Sequence, residues 1–266
     1  MMGMLAYWVH NLDAFAVHFK DNFGIRWYGI AYFSAFWIAY LFLKIYAHCK
    51  KIDWTREQQQ NFLVYILLGV LLGGRLGYIF FYEWNYYQTN IGQIFAVWNG
   101  GMSSHGGFLG VVIALFIFTR RNHFNFLKIL DVTVTLIPVG FFLGRLANFV
   151  NAEVVGTVTQ VPWAVIFPGY LVPRHPSQLY EAFCEGVLLF IATQYIFWKK
   201  PWIRLTPGKL ASFFLILYSV FRIFCEQYRE PDAPLIYNFS RGTFYSIFML
   251  FIGIIAYVIC SRKKNP

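Results

Sequence analysis

Arg75, Arg145 and Arg222 each stand within a run of apolar residues long enough to be a membrane helix. Moving an ionisable group into a bilayer costs roughly 2.5–3.5 kcal/mol on insertion scales, and such groups normally face a protein interior or cavity where they serve a function. A guanidinium offers two parallel N–H groups that match a phosphate, and such charge-assisted bonds are strong where water is excluded. Two arginines at one depth, Arg145 and Arg222, therefore point to phosphate recognition, with positive charge placed to stabilise a departing phosphate. His105 is the candidate base: its intrinsic pKa is about 6.5, and Gly106 and Gly107 beside it allow close backbone approach.

Helical spacing groups further residues with these. Tyr218, Arg222 and Glu226 step by four and share a face, so Arg222 and Glu226 can pair directly. Gln178, Glu181 and Glu185 share another face, and Arg145, Asn148 and Asn151 a third. Glu153 would point away if that last helix continued, which predicts an end or bend near Asn151.

The elements that carry these residues follow from composition. The chain of 266 residues is 58% hydrophobic, 21% aromatic and 13% charged, whereas a soluble domain carries about 25% charged residues. It reads as an all-α polytopic membrane protein. A net charge of +10 raises nucleic acid as a partner, but that requires Lys and Arg clustered on one face; here they are parcelled into links between apolar runs, so no nucleic-acid partner is expected. The six histidines form no closely spaced pair, and Cys49, Cys184, Cys225 and Cys260 are scattered, so neither a metal site nor a disulfide framework is expected. Residues 1–24 lack the basic start and uninterrupted apolar run of a cleavable signal peptide.

At about 20 apolar residues per crossing, seven helices are predicted, over roughly 25–46, 60–82, 105–119, 129–151, 177–198, 208–228 and 242–260, with the polar run Ser103–Gly107 leading into the short third one. Lys and Arg alternate unevenly between their links. One side holds Lys44, Lys50, Lys51, Arg56, Arg120, Arg121, Lys128, Lys199, Lys200, Arg204, Lys209, Arg262, Lys263 and Lys264; the other holds Lys20, Arg26, Arg174, Arg229 and Arg241. The positive-inside rule then predicts an external N-terminus and a cytoplasmic C-terminus. With that orientation Arg75, Arg145 and Arg222 lie about 20–23 Å above their inner helix ends at 1.5 Å per residue. Tyr28, His105, Gln178 and Glu181 sit near the outer starts of the other helices. The polar set converges on the outer leaflet. The spacings Gly69-x-x-x-Gly73, Gly73-x-x-x-Gly77 and Gly106-x-x-x-Gly110 are read as helix packing.

The run Gly144-Arg145-Leu146-Ala147-Asn148-Phe149-Val150-Asn151-Ala152-Glu153-Val154-Val155-Gly156 resembles, at every fixed position, the signature of the prolipoprotein diacylglyceryl transferase family. Further blocks look like the same family and reach from the first helix to the last loop: Ile25–Gly29, Gly74–Tyr78, Ser104–Gly107, Arg174–Glu181, and Phe221–Glu226 with Arg229, Pro231 and Asp232. The resemblance implies a single multi-pass transferase domain of the bacterial inner (plasma) membrane over residues 1–266, with 151–176 a short external head segment and the active site facing the outer leaflet. It implies phosphatidylglycerol as donor among the membrane lipids, the cysteine of a prolipoprotein signal peptide as acceptor, a thioether product with release of glycerol phosphate, and no metal or soluble cofactor.

Carried over residue by residue, the family's essential histidine falls on His105, its two essential arginines on Arg145 and Arg222, and its functional tyrosines on Tyr28 and Tyr218. Asn148, Glu153, Gly156, His175, Glu181 and Glu226 fall on other positions used for activity or site integrity. Arg75, Asn151 and Gln178 complete the expected substrate-binding set. Because the acceptor would attack as thiolate, it needs a base or cation beside it; His105 and Arg145 both qualify, and the sequence leaves the choice open. Two departures stand out: Ser104 replaces an aromatic residue expected before His-Gly-Gly, and the segment from Thr157 to Arg174 is shorter than in many relatives.

Each of these residues also has a structural alternative. Arg145 and Arg222 can be ion-paired helix clamps with Glu181, Glu185 and Glu226 as partners, Arg75 an interface arginine, His105 a hydrogen-bonded histidine, His175 a support for the helix start at Pro176-Ser177, and Tyr28 part of an aromatic belt. Two other functional classes fit less well. A transporter site lies near the midplane between repeats, and no repeat is detected; an intramembrane hydrolase lacks a Gly-x-Ser-x-Gly elbow or a His-Glu-x-x-His pair.

Overall fold

The computed structural model describes residues 7–20, 23–96 and 100–262. In chain order its main elements are β1 (Trp8–Val9), β2 (Phe15–Lys20), β3 (Phe23–Arg26), α1 (Trp27–His48), α2 (Arg56–Phe81), α3 (Ser104–Arg121), α4 (Phe126–Thr133), α5 (Ile137–Val150), β4 (Val165–Ile166), α6 (Ser177–Lys199), α7 (Lys209–Glu226) and α8 (Arg241–Arg262). The predicted segments fall largely on helices, but residues 25 and 26 belong to β3 and the 129–151 segment is two helices with a break at 134–136. Four helices, α1, α2, α6 and α8, are long and apolar enough to cross a membrane, or five if the bent pair α4–α5 is one span. The protein is mostly helical and integral to a membrane. Lys263 and Lys264, counted above toward the cytoplasmic side, lie outside the described residues, as do residues 1–6, 21 and 22 of the stretch read for a signal peptide.

An all-α fold is corrected by two small sheets. β2 and β3 form an antiparallel hairpin, and β1 pairs in parallel with β4 through Trp8 to Val165 and Val9 to Ile166. The β2 sequence Phe-Ala-Val-His-Phe-Lys mixes aromatic and β-branched residues that suit a strand, and Asp13 starts it by accepting from the Phe15 N–H at 2.8 Å and from His18 at 2.7 Å. These strands are too short and too far apart in sequence for a hydropathy reading to resolve.

The chain divides into two compact units, Tyr40–Leu130 and the remainder. In the first, α2 begins at a capping box in which Thr55 and Gln58 satisfy each other's backbone N–H groups. Against α2 packs α3, glycine to glycine. A Cβ on Gly73 would collide with the Gly106 carbonyl, and one on Gly77 with the Gly106 Cα, so the small-residue spacing is a packing device.

In the other unit α4 and α5 are bent by 41° at a break over residues 134–136, where Pro138 in the first turn of α5 lacks an N–H to continue the ladder. Gln194 of α6 donates to the buried Thr135 carbonyl at 3.0 Å, and Trp198 steadies Gln194 at 3.1 Å. At the start of α7 the buried Asp131 carboxylate accepts from the N–H groups of Gly208 and Ala211, both at 2.8 Å, and so caps that helix from outside. α6 is not uniform: Ala182–Leu188 form a π-helical segment, and Gly186 within it lies so close to Phe142 that an added Cβ would overlap that side chain.

Candidate active site

α5 ends at Val150 with Asn151 as its C-cap, as the motif spacing predicts. Ala152 and Val154 then take left-handed backbone angles, φ 54° and 57°, which are strained for side chains with a Cβ. They reverse the chain so that the Glu153 N–H returns to the Asn148 carbonyl at 3.0 Å. As a result Glu153 gathers the motif's polar groups: the Tyr28 hydroxyl donates to its Oε2 at 2.7 Å, Asn148 Nδ2 to the same oxygen at 3.1 Å, and Asn151 Nδ2 to Oε1 at 3.4 Å. Asn148 Nδ2 also contacts the Tyr28 hydroxyl.

Gln178 supports this turn from α6. It is fully buried and donates to the Glu153 carbonyl at 2.6 Å, while Ser177 Oγ donates to the Val154 carbonyl at 3.0 Å. α6 starts at Ser177, the position read as a helix start, but without a side-chain cap of its own. His175 instead exchanges backbone bonds with Gly156 and Thr157, at 3.1 and 3.0 Å, and its Nδ1 lies 3.1 Å from the Tyr180 hydroxyl. Burial holds the His175 ring below the usual histidine pKa. Gly156 is required here because a Cβ would run into the carbonyls of both His175 and Tyr228.

A network of three arginines and four carboxylates lies in the same unit. Glu181 and Glu185 are fully buried; Glu181 serves three arginines and Glu185 two. Arg145 places Nε 2.9 Å from Glu181 Oε2 and Nη2 3.4 Å from Glu185 Oε2. Arg222 places Nη1 2.8 Å from Glu181 Oε1 and 3.3 Å from Glu185 Oε1, and its Nη2 pairs with Glu226. Arg229 reaches Glu181 at 3.5 Å, Glu226 at 3.7 Å and Asp232 at 2.6 Å. Isolated buried ions would cost several kcal/mol each, about, after relaxation, so mutual pairing is what makes this cluster tolerable. Gln178, Glu181 and Glu185 divide their partners: the two carboxylates meet the arginines, while the Gln178 amide holds the Glu153 turn.

The cluster is not fully buried. The Arg145 side chain is 21% exposed, and among the described residues its Nη1 has no hydrogen bond, so a fork edge is available. The Nε–Glu181 pair is close but lies off the hydrogen-bond direction, leaving Glu181 Oε2 without a hydrogen bond among the described residues. Tyr218, one turn before Arg222, stacks on Phe214 at 6.0 Å and meets Phe141 at 5.3 Å.

The other unit holds Arg75 and His105. Arg75 is buried and donates to the carbonyls of Gln93, Ile94, Ala96, Gly100 and Gly101 at 2.6–3.2 Å, with Tyr87 5.1 Å beneath it. His105 sits in the first turn of α3, which Ser103 caps by accepting from the Gly106 N–H at 3.2 Å, and its side chain is exposed. The sequence reading missed Arg229 and Asp232 as members of the charge network; the three-residue step from Glu226 to Arg229 is the signal that could have found the first.

The chain's sequence matches the family model described as prolipoprotein diacylglyceryl transferase over residues 14–259. Among similar proteins are three named phosphatidylglycerol–prolipoprotein diacylglyceryl transferase. That of Nitratidesulfovibrio vulgaris (strain DP4) is 45% identical over 213 residues, covering 80% of each chain. That of Dechloromonas aromatica (strain RCB) is 43% identical over 91% of this chain and 93% of its own. That of Idiomarina loihiensis is 40% identical over 96% and 95%. With identity this high sustained along nearly the whole length, the chain belongs to the prolipoprotein diacylglyceryl transferase family.

Proposed function

We infer that this chain transfers the diacylglyceryl group of phosphatidylglycerol to the thiol of a prolipoprotein signal-peptide cysteine, the first step of lipoprotein maturation. The observation that carries this is family membership over residues 14–259, with relatives of that name at 40–45% identity. In the reaction the cysteine sulfur bonds to a glyceryl carbon and the carbon–oxygen bond to phosphate breaks. The thiol proton passes to a base, and the departing glycerol phosphate keeps the electron pair.

The residues of this chain suit those tasks. Arg145 and Arg222 face the phosphate, which exchanges with part of their carboxylate pairing; their positive charge stabilises the leaving oxygen. Glu181, Glu185 and Glu226 hold the two guanidiniums in place. Tyr28, Asn148, Asn151 and Glu153, backed by Gly156, His175 and Gln178, shape the donor site beside them, with Tyr218 on the face of Arg222. His105 takes the thiol proton. We place the enzyme in the bacterial inner membrane as one multi-pass domain with seven crossings, an external N-terminus, a cytoplasmic C-terminus, residues 151–176 as an outer head and the site opening to the outer leaflet. Loop charge supports that orientation.

The test is thioether formation on a cysteine-bearing signal peptide in phosphatidylglycerol vesicles. Product with the Cys peptide and none with its Ser counterpart is expected; absence of product with both overturns the reading. For orientation, a cysteine introduced in the 120–125 link should be shielded from an impermeant thiol reagent outside intact cells, and one in the 85–90 link should react. The reverse labelling rejects the topology.

A further inference from the structure

Glu226, the last residue of α7, is buried against the first turn of α8. Its Oε1 pairs with Arg222 and lies 3.7 Å from Arg229, while its Oε2 accepts a hydrogen bond from Ser240 Oγ. Ser240 also caps α8, accepting from the Thr243 N–H at 3.1 Å. Two residues on, Gly242 leaves the space that the Glu226 carboxylate fills: an added Cβ would fall on Oε1 and on the carboxyl carbon. A hydroxyl donor, a missing side chain and the positive end of a 22-residue helix thus converge on one carboxylate.

The physical consequence falls on Arg222. A carboxylate held by one guanidinium alone would grip it fully and compete with any phosphate. Here the negative charge of Glu226 is shared among Arg222, Arg229, Ser240 and the α8 terminus, so its hold on Arg222, which Glu181 and Glu185 also face, is weaker than that of an undivided carboxylate and more easily exchanged for a phosphate. We propose that Ser240 and Gly242 are positioning residues that act through Glu226 to set how strongly Arg222 engages the phosphate of the lipid donor. This rests on the function inferred above, and it assigns a task to the start of α8 that hydropathy patterning does not reveal.

The experiment measures kcat, KM and equilibrium binding for phosphatidylglycerol in reconstituted enzyme, with folding followed by gel filtration in detergent. Ser240→Ala should lower kcat/KM and weaken lipid binding by about tenfold, the scale of one hydrogen bond to a charged group. Ser240→Thr, which keeps the hydroxyl, should restore most of both. Gly242→Ala should cost more, because it displaces the carboxylate itself. In a Glu226→Gln background, Ser240→Ala should change lipid binding less than about twofold, since coupled residues are not additive. A merely structural cap would lower the amount of folded enzyme and leave KM, binding and this coupling unchanged. The proposal is overturned if Ser240→Ala binds and turns over lipid as wild type does, or if its loss is the same with and without Glu226. Binding needs no turnover, so an inactive Glu226→Gln still decides. Failure of the underlying function shows separately, as a wild-type enzyme that forms no thioether.

Discussion

Arg75 and the pair Arg145–Arg222 solve the same problem, a guanidinium in apolar surroundings, in opposite ways. Arg75 is surrounded by five neutral backbone carbonyls and an aromatic face, which use up its donors and hold Gln93, Ile94, Ala96, Gly100 and Gly101 around it. Arg145 and Arg222 are instead neutralised by carboxylates that each serve more than one arginine. A carbonyl cage must be dismantled to bind anything else. A shared carboxylate can yield part of its pairing to a phosphate without leaving a buried ion alone. The difference separates an arginine held by neutral carbonyls from two held by shared carboxylates.

The sharpest way to break this comparison is Arg222→Gln. It removes the cation opposite the departing phosphate, so kcat should fall by about 10²–10³-fold, the scale seen when a transition-state donor is lost. No recovery is expected between about pH 6 and 9, because deprotonating other groups supplies no cation; initial rates across that range check this. Activity within a few-fold of wild type would make Arg222 a helix clamp.

Arg145→Lys keeps the charge but loses the planar fork. Turnover should drop by roughly tenfold to a hundredfold while the protein stays folded, as one charged hydrogen bond or two would predict. Near-normal kcat/KM would show that charge alone suffices there and erase the contrast with a simple ion pair.

His105→Gln should be impaired near neutrality and recover as the acceptor thiol ionises unaided, approaching wild type above about pH 8.5. A defect constant across that range would remove His105 as the base and leave Arg145 as the means of thiol activation.

The smallest effect on turnover belongs to Arg75→Lys. A three-donor ammonium cannot serve five carbonyls, so thermal unfolding should occur at lower temperature, with about 1–3 kcal/mol lost for each carbonyl left unpaired. Activity per folded molecule should stay within twofold. A selective rise in lipid KM without loss of stability would move Arg75 from the structural class to the binding class.

Much of the architecture was legible in the sequence. Apolar runs locate the four or five helical spans long enough to cross a membrane, because a bilayer-facing helix needs that many apolar residues whatever its neighbours. The end of α5 at Asn151 was legible too, since Glu153 could not otherwise join the face of Arg145 and Asn148. The hairpin of β2 and β3 and the pairing of β1 with β4 were not, for two to six residues carry too little pattern to be distinguished from a loop.

By itself the sequence determined which residues are charged within apolar runs, which of them share a helical face, and which family the chain resembles. Only the tertiary structure decided who pairs with whom. Glu181 and Glu185 bridge Arg145 and Arg222 from about forty positions away, Gln178 turns to the Glu153 carbonyl instead, Arg229 joins from beyond the helix end, and Gly242 makes room for Glu226. Local spacing fixes direction only along one regular helix; partners across helices depend on how each helix is rotated, broken and packed, and that is settled by contacts between residues far apart in the chain.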